Sequence, residues 1–304
     1  MRGDATHRHV VRINTRFNSM VNPSRTAVVG DHEAREFPMS IANFETIKRI
    51  AMEWTGISLS DHKRNMIYGR LSRRLRALGL SDFNQYCNLL EASPAAEKTE
   101  FINSITTNLT AFFREIHHFE YLASTVIPSL MRANAASRKI RIWSAGCSTG
   151  EEPYSIAMVF NSFSALKGWD VKILATDLDS NVVAKGASAV YPVDRAEGVP
   201  DKYRQFFKRD KTTNNVQIKD SVRELIRFRQ LNLLHEWPMR GSFDIIFCRN
   251  VVIYFDLPTQ KKLFNRYADM LVDNGHLFIG HSENLYKVTD RFNSIGRTIY
   301  QKAY

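Results

Sequence analysis

The sequence predicts an α/β protein in which a doubly wound, mostly parallel sheet follows a small all-helical domain. Two observations carry this. Short apolar runs at 139–143 (KIRIW), 171–175 (VKILA), 243–248 (FDIIFC) and 276–279 (HLFI) alternate with helical stretches, the pattern of parallel strands covered by helices on both faces. Ahead of them, from Pro38, the periodicity is helical, and 304 residues is about twice the length of a typical domain.

Residues 1–37 carry scattered Arg and His and no sustained periodicity, and are expected to form a mobile extension. From Pro38 the pattern is helical. Phe44, Ile47, Ile50 and Trp54 recur at helical spacing, and Gly56 fits a C-terminal stop. Ser60 is placed to cap a second helix through Leu78, with Ile67, Leu71, Leu75 and Leu78 on one face and Gly79 behind it. Two more helices fit 81–92 and 96–109, so a helical domain spans 38–110. A helical linker over 111–135 leads into the sheet domain, 136–304. Its text at 298–301 (TIYQ) reads as an antiparallel edge strand. The alternation in 216–228 (VQIKDSVRELIRF) suggests a small β subdomain inserted at about 190–228.

Apolar residues make up 44% of the chain and charged residues 24%, which supplies a core and excludes a disordered chain. No apolar run approaches the ~18 residues of a membrane span, and the N-terminus lacks the apolar core of a signal peptide. No membrane insertion is expected. Cys87, Cys147 and Cys248 are far apart and odd in number, so neither a disulfide framework nor a CxxC metal pair is expected, and a reducing, cytoplasmic location is. The net charge of +11 points to an acidic partner; nucleic acid, anionic lipid and a carboxylate-rich protein all satisfy it.

Residues 139–160 read as strand, glycine-containing loop and helix. Such a loop lets backbone approach a ligand at the carboxyl end of a parallel sheet. Gly146 and Gly150 do not make G-x-G-x-x-G, and the loop has no P-loop lysine. Glu151 and Glu152 stand where a phosphate would be held and would repel it. The second strand ends at Asp177, an acceptor for both hydroxyls of a ribose. A ribose-bearing ligand with a positive centre and no phosphate describes S-adenosylmethionine.

The stretches TTNLTAFFRE (106–115), SAGCSTGEEPYS (144–155), TDLD (176–179), FDIIFCRNVVIYF (243–255) and GHLFIGHSENL (275–285) together resemble the CheR family of chemotaxis receptor methyltransferases. The resemblance runs from about residue 38 to the C-terminus. It implies a class I S-adenosylmethionine-dependent methyltransferase domain of Rossmann-like fold with a small inserted β subdomain, behind an all-α domain. The implied activity is methyl transfer from S-adenosylmethionine to chemoreceptor glutamates, giving glutamyl methyl esters and S-adenosylhomocysteine, for chemotaxis adaptation. By position, Asn108, Thr110 and Arg114 resemble linker-side cofactor contacts, with Arg114 pairing the methionine carboxylate. Glu152 and Asp177 resemble the acidic contacts, Asn232 and Leu233 the adenine-side contacts, and Arg249 and Asn250 line the site. Tyr254 resembles a residue beside the transferred methyl. Tyr254 and Arg114 are expected to orient groups rather than take protons.

Cys147 is read as a small residue in tight space. His117 and His118 lack partner ligands at useful spacing, and no metal is expected. On the second helix Lys63, Arg70 and Arg74 fall within about 40° of one another, with Arg73 beside them. No acid follows Asp61 through Leu80, so this basic stripe is expected to dock the acidic methylation helices of a chemoreceptor, the enzyme acting as a monomer. The 208–215 loop (KRDKTTNN) has none of the glycines found in family members that grip a receptor C-terminal peptide, so tethering of that kind is not expected. The competing readings are a nucleic-acid methyltransferase and a non-catalytic, cofactor-sensing module. Against the first, 249–254 lacks an Asn/Asp-Pro-Pro-aromatic run, and no stacking platform is evident; no nucleic-acid partner is expected.

Overall fold

Ser40 opens the first helix with a reciprocal cap: its hydroxyl accepts from Asn43 N–H, and the Asn43 side chain accepts from Ser40 N–H. That helix, α1 (Ile41–Thr55), closes on Gly56 at φ 72°. A 3-10 turn, Asp61–Lys63, then leads into α2 (Arg64–Leu78). Ser60 makes no side-chain cap bond, so α2 starts later than its sequence suggests. Asp82 caps α3 (Phe83–Ala92), and Pro94 starts α4 (Pro94–Ile105). These four helices enclose a core that includes Ile47, Ile67, Leu71, Phe83 and Phe101. The computed structural model describes residues 35–304; apart from its last three residues, the extension expected over 1–37 lies outside the described residues.

The basic stripe on α2 does not face outward as a unit. The Arg74 guanidinium makes two 2.7 Å hydrogen bonds to Glu97, a carboxylate of α4 that is 2% exposed. Arg70 donates to Ile105 O (3.0 Å), Thr106 O (2.6 Å) and Thr107 Oγ1 (3.1 Å), closing the C-terminal end of α4. Both flank Leu71, whose side chain is fully buried, so packing α2 on α4 draws them inward. Of the four stripe residues Arg73 is exposed, and Lys63 turns toward a cavity described below.

The linker is less regular than a single helix. Residues 106–116 carry no helix and turn over 112–116, with Phe113 and Glu115 in the left-handed region at φ 54° and 59°. Helical structure begins at α5 (His117–Tyr121), widens into one π turn (Leu122–Val126) and resumes as α6 (Ile127–Ala133). Pro128 has no N–H to donate back into the preceding turn, which suits the wider spacing there.

The sheet domain follows: β1 (Lys139–Ala145), α7 (Glu151–Asn161), β2 (Asp170–Asp177), α8 (Ser180–Ser188), β3 (Val190–Pro192), α9 (Asp201–Arg204), β4 (Phe207–Arg209), β5 (Asn215–Ile218), α10 (Asp220–Arg223), β6 (Ile226–Gln230), β7 (Phe243–Cys248), α11 (Leu257–Met270), β8 (Leu271–Ile279), β9 (Phe292–Gly296) and β10 (Ile299–Lys302). Seven strands form the main sheet in the order β6-β2-β1-β7-β8-β10-β9. The first five are parallel, and β10 runs antiparallel to β8 and β9. Two expectations change. TIYQ is not the edge, because β9 pairs outside it. Within 190–228 only β3, β4 and β5 form the small antiparallel sheet; β6 pairs with β2, Ile226 opposite Ile173. Phe228 of β6 packs on Tyr154 of α7, which commits that strand to the main sheet.

The chain leaves β1 toward β2 on one side and returns to β7 on the other. The crevice between them is therefore the switch point where open α/β sheets bind ligands. Register Ala145↔Thr176 and Ser144↔Phe247 brings the ends of the three strands level. From Phe37 onward the chain is one compact unit, with the helical domain against this edge.

Candidate active site

A cavity opens at the carboxyl ends of β1, β2 and β7. The helical domain closes it with Thr55, Ile57, Leu59, Lys63, Met66 and residues 105–110, and the linker with Arg114. Every site residue expected from the sequence lines it: Asn108, Thr110, Arg114, Glu152, Asp177, Asn232, Leu233, Arg249, Asn250 and Tyr254. Their tasks differ from one another more than the sequence suggests.

Gly146, at φ 85°, turns the chain after β1; a Cβ there would stand 2.3 Å from Val251 Cγ2. The turn lets Ser148 N–H reach Asp177 Oδ2 (2.8 Å), while Asp179 N–H reaches Oδ1 (3.0 Å). Burial pushes the Asp177 carboxyl up to about 6, against the pull of those donors. Each oxygen keeps a lone pair for a further donor.

Behind the cavity lies an ionic lattice. Glu152 accepts from Ser144 Oγ (2.8 Å) and Arg249 Nη1 (2.9 Å). Burial raises its carboxyl, and Arg249 and Ser144 oppose this. Arg249 Nη2 lies 3.3 Å from Glu115 and donates to the Arg114 carbonyl. Burial alone would raise Glu115, but a hydrogen bond from His281 Nδ1 (2.8 Å) and the charge of Arg249 hold it at about 2. The lattice thus fixes the backbone of Arg114 and leaves its guanidinium free of any acidic partner in the lattice. Arg114 donates to Leu109 O (2.8 Å) and, among the described residues, pairs with no carboxylate.

Several expected contacts are already spent inside the protein. Asn108 donates to Asp179 Oδ2 (2.8 Å), and Asn232 donates to the Trp54 carbonyl (3.0 Å). Both tie the walls of the cavity together. Asn250 sits at φ 59°, and its N–H donates to Glu283. Two carboxylates that matter were not singled out in the sequence. Asp179 accepts from Thr106, Asn108 and the first turn of α8. Glu283, 4% exposed, accepts from the N–H groups of Gly280, Asn250, Val251 and Val252, fixing the turn that carries Tyr254. Both lie inside the quoted motifs, but their partners, side-chain and backbone groups for Asp179 and backbone N–H groups for Glu283, are set by tertiary structure that residue type does not reveal.

Cys147 is fully buried, and burial pushes its thiol well up, so it offers no thiolate. His117 and His118 do have a third neighbour: the ligand atoms of Glu115 and both imidazoles lie within 4.8 Å of one another. Arg249 and His281 hold that Glu115 carboxylate, and both imidazoles meet Arg297 O.

The donor set fits S-adenosylmethionine. Asp177 offers an acceptor of the kind a ribose diol needs, Arg114 a cation with no carboxylate partner among the described residues, and Leu231 and Leu233 an apolar wall of the kind an adenine needs. Buried Glu151 and Glu152 occupy the α7 N-terminus that a phosphate would need.

The family model described as CheR methyltransferase, SAM binding domain, matches residues 108–301, and that described as CheR methyltransferase, all-alpha domain, matches 42–106. A probable chemotaxis protein methyltransferase of Rhizobium etli is 44% identical over 81% of this chain and 94% of its own. Chemotaxis protein methyltransferase 2 of Pseudomonas aeruginosa is 43% identical over 88% and 96%. The chemotaxis protein methyltransferase of Escherichia coli is 42% identical over 86% and 91%.

Proposed function

The chain belongs to the CheR methyltransferase family and is an S-adenosylmethionine-dependent methyltransferase; on that premise we propose that it esterifies glutamate side chains of chemoreceptors in chemotaxis adaptation. Bound S-adenosylmethionine supplies an electrophilic methyl group on a sulfonium. The chain's own residues bind, orient and exclude water. In this reading Asp177 holds the ribose, Arg114 the methionine carboxylate, and Tyr254 orients the reacting groups.

The observation that carries the glutamate acceptor is the commitment of the cavity's acids. Glu152 is held by Arg249 and Ser144, Asp177 by two backbone N–H groups, and among the described residues no imidazole lines the cavity. An amine acceptor needs a group to take its proton. A glutamate, with a reference value of about 4.3, is already an anionic nucleophile at neutral pH. Transfer to it neutralises a cation and an anion together, so alignment and exclusion of water suffice. The helical domain is the docking module, with exposed Arg73 contributing to a salt-sensitive contact worth a few tenths to about 1 kcal/mol. The enzyme meets the receptor as a monomer, and no helix among the described residues is long and apolar enough to cross a membrane.

Radiolabelled methyl transferred to receptor protein should leave as methanol in mild base, while DNA and RNA remain unlabelled. Base-stable label in the receptor would falsify the ester. Tyr254→Phe keeps the ring and removes the hydroxyl; kcat should fall about three- to tenfold with little change in cofactor affinity. An unchanged kcat makes Tyr254 a packing residue.

A further inference from the structure

Among the described residues three cationic side chains line the cavity: Lys63, Arg114 and Arg249. Arg249 is neutralised by Glu152 and Glu115. Arg114 and Lys63 pair with no carboxylate among the described residues. The reaction brings two carboxylates into this space, one on the cofactor's methionine end and one on the substrate. Arg114, on the linker, serves the first. Lys63 belongs to another wall. It ends the 3-10 turn before α2, half-buried, with Nζ 5.1 Å from the centroid of the Tyr254 ring. Tyr254 is the residue assigned to the transferred methyl, so the ammonium stands beside the place where the nucleophile must arrive. Arg70 and Arg74 are excluded from this task by their bonds to α4, and Arg73 by its exposure on α2.

We propose that Lys63 binds the substrate carboxylate and selects glutamate over glutamine at the methylated position. The proposal rests on the glutamate-methylating reading above and deepens it. An ammonium has three donors and no acceptor. It rewards a carboxylate with a charge-assisted hydrogen bond, whereas a carboxamide offers one neutral oxygen and an NH2 group that finds no acceptor on it. Pairing also holds the nucleophile's charge in the ground state, so Lys63 acts on recognition and KM rather than on kcat.

The test uses the full chain and two versions of a chemoreceptor cytoplasmic fragment, with glutamate or glutamine at the methylation positions. The glutamine version is measured as a competitive inhibitor. The unsubstituted enzyme should favour the glutamate fragment by about tenfold, at the lower end of a charge-assisted contact because Lys63 is only half-buried. Lys63→Gln should bring that preference to within about twofold, and Lys63→Arg should restore most of it. Calorimetric affinity for S-adenosylmethionine should move by less than about twofold in both variants, which also reports an intact fold. A preference that persists in Lys63→Gln overturns the proposal. So does equal weakening of both fragments, which would make Lys63 a general docking charge. Absence of any base-labile methyl transfer by the unsubstituted enzyme is a separate outcome, and it overturns the underlying reading instead.

Discussion

Asp177→Asn is expected to bind S-adenosylmethionine roughly 10- to 100-fold more weakly, because hydrogen bonds to an ionised acceptor contribute about 1.5–3 kcal/mol. The carboxylate ends β2 at the cavity, and two backbone N–H groups hold both its oxygens in place. The substitution keeps the shape but turns one oxygen into a donor facing an N–H. Calorimetry measures the loss, and unchanged affinity would remove Asp177 from the site. The same residue gives binding a pH dependence. Burial raises its carboxyl to about 6 in the free protein. Ribose hydroxyls donate to the ionised form, and the cofactor's positive charge favours that form further. Affinity should therefore rise with pH through about 6 and level off above it, with a proton released on binding near the midpoint. Asp177→Asn should flatten that rise.

Arg74→Ala should cost about 2–4 kcal/mol of stability, seen as a lower denaturant midpoint. Glu97 is 2% exposed, and its two oxygens take the Arg74 guanidinium at 2.7 Å; the Tyr86 hydroxyl at 3.1 Å remains as the other partner. Removing Arg74 leaves a buried carboxylate without its cation. Arg74→Met with Glu97→Gln keeps an acceptor for Tyr86 and removes both charges, so it should recover most of the loss. A midpoint unmoved by Arg74→Ala would return this arginine to the docking stripe that its sequence position suggests. Methylation losses in charge-removal variants of α2 accordingly need a stability measurement beside them.

The alternation of apolar runs with helices made the strands β1, β2, β7 and β8 legible, because strands buried on both faces leave near-continuous apolar text. The polar edge was not legible. In β9 only Phe292 is buried, so FNSIG carries no period to read. The destination of β6 was hidden for a related reason: alternation marks a strand but not its sheet. At the site, the family motifs pointed to residues that line one cavity, and the acid at the end of β2 stood out on chemical grounds alone. The commitments were not. Arg74 meets Glu97, Asn232 meets Trp54 O, and Glu283 collects N–H groups from a turn some thirty residues earlier. Each is a tertiary pairing that neither spacing nor residue type encodes.

The closure of the cavity by the helical domain bears on how such enzymes can be recombined. A domain exchange meant to alter receptor preference alone would remove more than a docking face. With α1–α4 go Lys63, the Trp54 carbonyl that anchors Asn232 and the Asn103 amide that reaches Ser180 across the boundary. A junction near residue 106 also separates Arg70 from Thr106 and Thr107, and one just beyond separates Asn108 from Asp179. A workable chimera therefore inherits the linker through Arg114 together with its helical domain, and matches Asp179, Asn232 and Ser180 on the other side. The unit that can be traded between relatives is the whole roof of the cavity with its hinges, not a detachable receptor-binding cap.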